Sequence, residues 1–190
     1  AARIEEKFEG LSEIDFQLVQ DLHMDFHSIP GKRIKDGLIS GLRTAKPKAQ
    51  KLIDILDKWD NNLDEESIGG TVYQVFLFRL IKNIVQPHLG QTLTAKYLGI
   101  GDHPLLLPVN ELLGHSTEAV IRIFQNSDSK WVPSGKSALS LIEKSLVESC
   151  LWLEENMGYE ASGWKWGNIH QAEFQHSLSV KQPLNQVFNK

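Results

Sequence analysis

The longest apolar-periodic run in the chain, Ile68 to Val85, constrains the fold more than any other stretch. Val72, Val75, Phe76, Leu80, Ile84 and Val85 recur at three- and four-residue spacing, which on an α-helix gathers them along one side. A helix with so much apolar surface must be enclosed by others, so the run predicts the core axis of the molecule. Ser67 just ahead of it is a candidate N-cap. Gly69 and Gly70 in its first turn each cost up to about 1 kcal/mol relative to alanine in a helix interior. A close approach of another backbone is expected to explain them.

Further helical patterns lie on both sides of this axis. A short one runs from Ala2 to Phe8. Next, Ser12 is a candidate cap for a helix carrying Ile14, Leu18, Leu22 and Phe26 that ends near Pro30-Gly31, with Glu13 and Asp15 in its first turn. Leu38, Ile39 and Leu42 predict another turn or two before the Lys46-Pro47 break. Pro47 can open a helix in which Leu52, Ile53, Ile55 and Leu56 lead to Trp59. The segment from Pro87 to Pro108 reads as irregular. Asn110 to Phe124 is helical, with Leu112, Leu113, Val120, Ile121 and Phe124 as core candidates. The last helix, Lys136 to Met157, places Leu139, Ile142, Leu146, Cys150 and Leu153 on one face, and Gly158 closes it.

The character of the chain changes at WKWGNIHQAEFQHSL, Trp164 to Leu178. Here His170, Ala172, Phe174, His176 and Leu178 alternate with Ile169, Gln171, Glu173 and Gln175, the period of a strand with one mostly apolar face. The expected fold is therefore mainly α, an irregular helical domain of about six helices with one C-terminal β-strand. The helical domain spans residues 1–163 and the strand segment residues 164–190, together forming one folded unit. A single strand leaves an unpaired edge, which a partner is expected to cover.

At 190 residues, with 41% hydrophobic and 23% charged residues, the chain is long enough to bury a core of its own. No apolar run approaches the ~20 residues of a spanning helix, which argues against a membrane protein. The first residues, AARIEEKFEG, show no secretory signal. The net charge of −4 comes from mixed acidic and basic residues. No basic stripe of the kind nucleic acid requires is present. The single cysteine, Cys150, is expected to be a buried structural thiol.

Motifs that carry chemistry are sparse. There is no phosphate-cradling glycine loop, no paired cysteine spacing, no HExxH and no GxSxG. His23 and His27 stand four apart, a spacing that can hold a metal on one helix face, but no third ligand accompanies them. His170 and His176 share a strand face about 20 Å apart, too far for one ion. The acidic LDEES, Leu63 to Ser67, lacks the alternating oxygens and glycine of a calcium loop and reads as a solvated turn with a helix cap. No catalytic, cofactor-binding or metal-binding residue is assigned.

The order of several aromatic and polar residues carries more. Trp164, Trp166, Gly167, His170, Phe174 and His176 resemble the W-x-W-G-x-x-H…F-x-H signature of the penicillin acylase family. Asp25, Ser28 and Gly31 resemble its D-x-x-S-x-x-A pattern, with glycine replacing the small alanine. Trp59, Asp60, Leu63 and Ser67 resemble the stretch that enters a long helix in these proteins, and Arg3-Ile4 an arginine-rich helix start. The helix closing at Met157-Gly158 is similar to the family's own, so the resemblance spans nearly the whole chain.

The resemblance implies an N-terminal-nucleophile amidohydrolase, whose precursor cleaves itself to expose a serine that attacks the amide. Ala1 has no such hydroxyl. The family's asparagine oxyanion donor and calcium-binding carboxylates would precede the start of this sequence. The chain is accordingly expected to be an internal, mostly helical piece of a β chain, non-catalytic alone and without a cofactor of its own, calcium belonging to the intact parent. Its expected partners are the remainder of the acylase and, through the exposed strand, a second copy. The parent would hydrolyse an acyl amide such as a β-lactam side chain or an acyl-homoserine lactone, in the periplasm or outside the cell. An independent helical protein-interaction module is the competing expectation.

Overall fold

A computed structural model describes residues 2–11, 13–98, 111–126, 129–132 and 138–171. It contains seven α-helices among those residues: α1 (Ala2–Phe8), α2 (Phe16–His23), α3 (Ile29–Ile34), α4 (Pro47–Lys58), α5 (Ile68–Tyr97), α6 (Glu111–Gln125) and α7 (Ala138–Met157). The last residue of α3 leads into a wide π-turn, Lys35–Ile39, and two short 3-10 turns, Ala161–Gly163 and Trp166–Asn168, follow α7.

The predicted axis is the centre of the molecule. Val72, Phe76, Leu80, Ile81 and Ile84 of α5 are buried, and α5 packs most extensively on α7 and α4. Leu52, Ile53 and Leu56 of α4 and Ile142, Leu146, Cys150 and Leu153 of α7 are buried in the same core. Inside this apolar contact lies one polar crosslink. Asn83 Nδ2 donates to Ser145 Oγ at 3.1 Å and Glu148 Oε2 at 2.8 Å, while its Oδ1 accepts from Lys144 Nζ at 2.7 Å. A buried amide whose hydrogen bonds are met in only one register fixes how α5 sits against α7.

Several local expectations change. The single helix expected from Ser12 to Pro30-Gly31 is two. Asp15, not Ser12, caps α2, its Oδ1 accepting from Leu18 N at 2.8 Å. Ser28 then caps α3, its Oγ accepting from Gly31 N at 3.0 Å. Pro30 thus lies in the first turn of a helix, where its missing N–H leaves no bond unmade, rather than ending one. Nothing in α2 is buried, and Ile14 and Phe26, expected within one helix, lie outside α2 and are exposed. Leu139 is likewise exposed.

α5 also runs past Val85, through Pro87, to Tyr97, where irregular chain was expected. It is interrupted at Gly90, whose φ of +69° belongs to the left-handed region that glycine enters without strain. Gly158, at φ +88°, closes α7 as expected.

No strand occurs among the described residues, so the expected C-terminal β-strand is corrected in the part that can be seen. Trp166–Asn168 forms a 3-10 turn, and the backbone N–H groups of Ile169 and His170 both bond back to Trp166 O, at 3.1 and 3.0 Å. A chain folded back on itself in this way cannot offer those groups to a sheet. The rest of the expected strand, with Phe174 and His176, lies outside the described residues, as does the edge expected to pair with a second copy.

Candidate functional site

Three segments far apart in sequence meet beside the start of α5. They are residues 25–31, residues 59–70 and residues 164–170, the stretches that carry the recurring aromatic and polar residues.

Trp59 ends α4 and is almost fully buried. Its ring stacks on Tyr73 with centroids 5.3 Å apart, and its Nε1 donates to Asn62 O at 2.8 Å and Ser67 Oγ at 3.0 Å. The glycines that begin the neighbouring helices make room for it. A Cβ on Gly69 would lie 2.3 Å from Trp59 Cγ, and one on Gly31 2.5 Å from Cη2. The close approach expected at Gly69 is therefore to an indole ring, not to a backbone.

Ser67 is the hub. Its Oγ caps α5 by accepting from Gly70 N at 3.0 Å, as expected, and itself donates to Asn62 O at 2.7 Å. Its carbonyl accepts from Trp166 N at 3.1 Å. One residue pair away, Gly167 N donates to Glu65 O at 2.8 Å, and a Cβ on Gly167 would meet Glu65 at 3.0 Å.

The 25–31 segment joins from the other side. Ser28 N donates to Asn61 O at 2.8 Å, Leu63 N donates to Phe26 O at 2.9 Å, and His27 and Asn62 form an isolated antiparallel bridge. Asn61 takes the left-handed φ of +69°, which asparagine tolerates better than most residues. Its buried Oδ1 has no partner among the described residues.

Asp25 ties α1 to this knot. Its Oδ1 accepts from His27 N at 2.9 Å and its Oδ2 from Arg3 Nε at 2.8 Å, with Lys7 Nζ at 3.5 Å. Burial pushes its carboxyl up, but these donors together outweigh burial and hold it below the usual carboxylate range. Tyr73 is shifted the other way, because burial raises its phenol more than its hydrogen bonds with Thr117 and Ser28 lower it.

Trp164 is fully buried, donating from Nε1 to Gly158 O at 2.7 Å beneath Lys51 Nζ, which lies 4.4 Å from the ring centre. Trp166 is half-buried and stacks on exposed His170 at 4.7 Å.

The candidate metal pair is not brought together as a helical face. His23 is in the last turn of α2, which ends there, while half-buried His27 lies beyond it with Nδ1 3.3 Å from Asn62 Oδ1. Among the described residues no three His, Cys, Asp or Glu side chains gather as metal ligands would. His170 has its indole partner, and His176 lies outside the described residues. Cys150 is buried, with Sγ 3.6 Å from Glu154 Oε1.

Asn61, Asn62 and Tyr73 are parts of the knot that the sequence reading left out. The Asp60-Asn61-Asn62 run was a usable signal, since such residues favour tight turns and left-handed backbone.

A family model described as penicillin amidase matches residues 1–190. Among curated proteins, the acyl-homoserine lactone acylase QuiP of Pseudomonas aeruginosa is 23% identical over 167 residues, a stretch covering 82% of this chain and 18% of that protein. The chain thus spans less than a fifth of that relative's length. No solved structure matches.

Proposed function

The chain belongs to the penicillin amidase family, and we propose that it serves as a non-catalytic helical region of an acylase-like amidohydrolase. The intact enzyme would hydrolyse an acyl amide, such as a β-lactam side chain or an acyl-homoserine lactone, with an N-terminal serine supplied from outside these residues. The similarity to QuiP supports the wider substrate class without choosing within it.

The observation that carries this reading is how the family-like residues are employed. Asp25, Ser28, Trp59 and Ser67 direct their polar atoms at backbone N–H or C=O groups, and Trp164 does the same at Gly158. Residues used this way hold three segments in register. A nucleophile needs instead an accessible oxygen beside a base. Ser67 Oγ is in a buried residue and already has Asn62 O, Gly70 N and Trp59 Nε1 around it. Any calcium of the intact enzyme belongs, on this reading, to residues outside this chain.

The test is an amidase assay of the purified 190-residue chain on phenylacetyl and fatty-acyl amides. No turnover is expected. Turnover abolished by replacing a single serine would overturn the proposal.

A further inference from the structure

The start of α4 carries the wrong charges for a helix. Its N-cap position is Lys46, whose side chain makes no capping bond, and its first turn holds Pro47 and Lys48 but no acidic residue. Lys51 follows one position into the next turn. The unpaired N–H groups of a helix N-terminus give it a partial positive charge, which favours carboxylates there and disfavours lysines. Its own sequence therefore does little to hold this turn in place.

The missing carboxylates come from α7. Glu143 Oε2 meets Lys46 Nζ at 2.7 Å, and its Oε1 accepts from the Thr44 hydroxyl. About three turns further along α7, Glu154 Oε2 accepts from Lys48 Nζ, while its Oε1 lies 3.6 Å from both Lys51 Nζ and Cys150 Sγ. The Tyr159 phenol also lies near Lys48. The two carboxylate side chains are only 16% and 12% exposed, so water and salt screen these pairs less than they would on an open surface.

The same charges reach past α4. Lys51 Nζ lies 4.4 Å from the centre of the Trp164 ring and donates to Tyr159 O at 3.1 Å. The chain it holds there runs on directly to Trp166 N and Gly167 N, which bond to Ser67 O and Glu65 O beside the start of α5.

We propose that Glu143 and Glu154 form an acid-released clasp, which when ionised holds the first turn of α4 and, through Lys51, the segment 159–164. When protonated, the two carboxyls let both stretches loosen while the core stays closed. Leu52, Ile53 and Leu56 are buried and apolar, so nothing about their packing changes with pH, and the release stops within the second turn of α4.

The sign follows from the donors. Lys46 and then Thr44 hold the Glu143 carboxyl below the usual carboxylate range, and Lys48 chiefly holds that of Glu154 there. A carboxyl depressed in the folded state contributes stability above its unfolded pKa and loses it as pH falls through the folded one. Release therefore comes on acidification below about pH 4. It is independent of which amide the intact enzyme hydrolyses.

The experiment is amide hydrogen exchange on the protein expressed from its whole reading frame. Glu143→Gln/Glu154→Gln keeps both groups neutral at neutral pH. In that variant exchange at Gln50 and Lys51, and at Gly163 and Trp164, should rise about tenfold, with residues 76–84 of α5 unchanged. In wild type the same two stretches, corrected for the intrinsic pH dependence of exchange, should quicken between about pH 6 and pH 3.5, ahead of α5. This pH series decides the matter if the variant does not fold.

Unchanged exchange at Gln50 and Lys51 in the variant, or in acidified wild type, would overturn the proposal. So would a rise that includes residues 76–84, since the protein would then be opening as a whole. A rise at Gln50 and Lys51 without one at Gly163 and Trp164 would overturn the link through Lys51.

Discussion

The space that a side chain on Gly69 would need is filled by the indole of Trp59, which approaches a Cβ built there to 2.3 Å. Helix propensity and packing therefore oppose each other at this position. Alanine is favoured over glycine by up to about 1 kcal/mol within a helix, but forcing atoms into a filled core costs about 1–3 kcal/mol. Because the ring is also stacked on Tyr73 and bonded through Nε1, it has little room to yield. Gly69→Ala should lower stability by about 2 kcal/mol. Urea unfolding monitored by tryptophan fluorescence would check this, and a stabilised variant would show that the ring moves aside.

Ser67→Ala should cost about 1–2 kcal/mol, the loss of an N-cap whose oxygen also serves a buried indole. The indole N–H keeps Asn62 O, which limits the penalty. Since Ser67 O accepts from Trp166 N through the backbone, that contact should survive. Hydrogen exchange would separate the two effects, with faster exchange at Gly70 and little change at Trp166.

Asp25 gives a pH dependence of defined sign. Its carboxyl is held below its ordinary value of 3.8, burial being outweighed by the donors from His27, Arg3 and Lys7. A carboxyl depressed in the folded state contributes stability above its unfolded pKa and loses that contribution as pH falls through the folded one. Wild type should therefore lose stability below about pH 4 more steeply than Asp25→Asn. The comparison is a series of denaturant midpoints between neutral and acid pH. Parallel curves would count against the ion pair as a tie between α1 and the knot.

Cys150 should be slow to react while the chain is folded. Burial first, and then the neighbouring Glu154 carboxylate, push its thiol upward, and the thiolate is the reactive form. Iodoacetamide labelling should be slow in buffer and rise sharply across the unfolding transition. Rapid labelling in buffer would mean that the α4–α7 contact opens readily.

The helices that were legible in sequence are those whose start and stop signals had no nearby rival. α4 begins at Pro47 and leads to Trp59, α5 begins after Ser67, and α7 stops before Gly158. At α2 the signals competed. Ser12 and Asp15 are both capping residues within one turn of each other, and Pro30 is compatible with either the end of one helix or the start of the next. The stretch after Trp166 was misread for a different reason. Alternation of side chains describes a strand only when its backbone groups have another strand to bond, and here Trp166 O already receives Ile169 N and His170 N.

What the sequence by itself determined is the set of apolar faces, the local caps that bound most of the helices and the family to which the residues are similar. Those properties depend on neighbours a few positions apart, or on side chains that can be named. Tertiary structure decided that the Asp25 and Trp164 segments both join the Trp59–Gly70 segment beside the start of α5. The bonds that join them, Ser28 N to Asn61 O, Leu63 N to Phe26 O and Trp166 N to Ser67 O, run between backbone groups. Every residue except proline carries the same N–H and C=O, so no side chain announces which of them will meet.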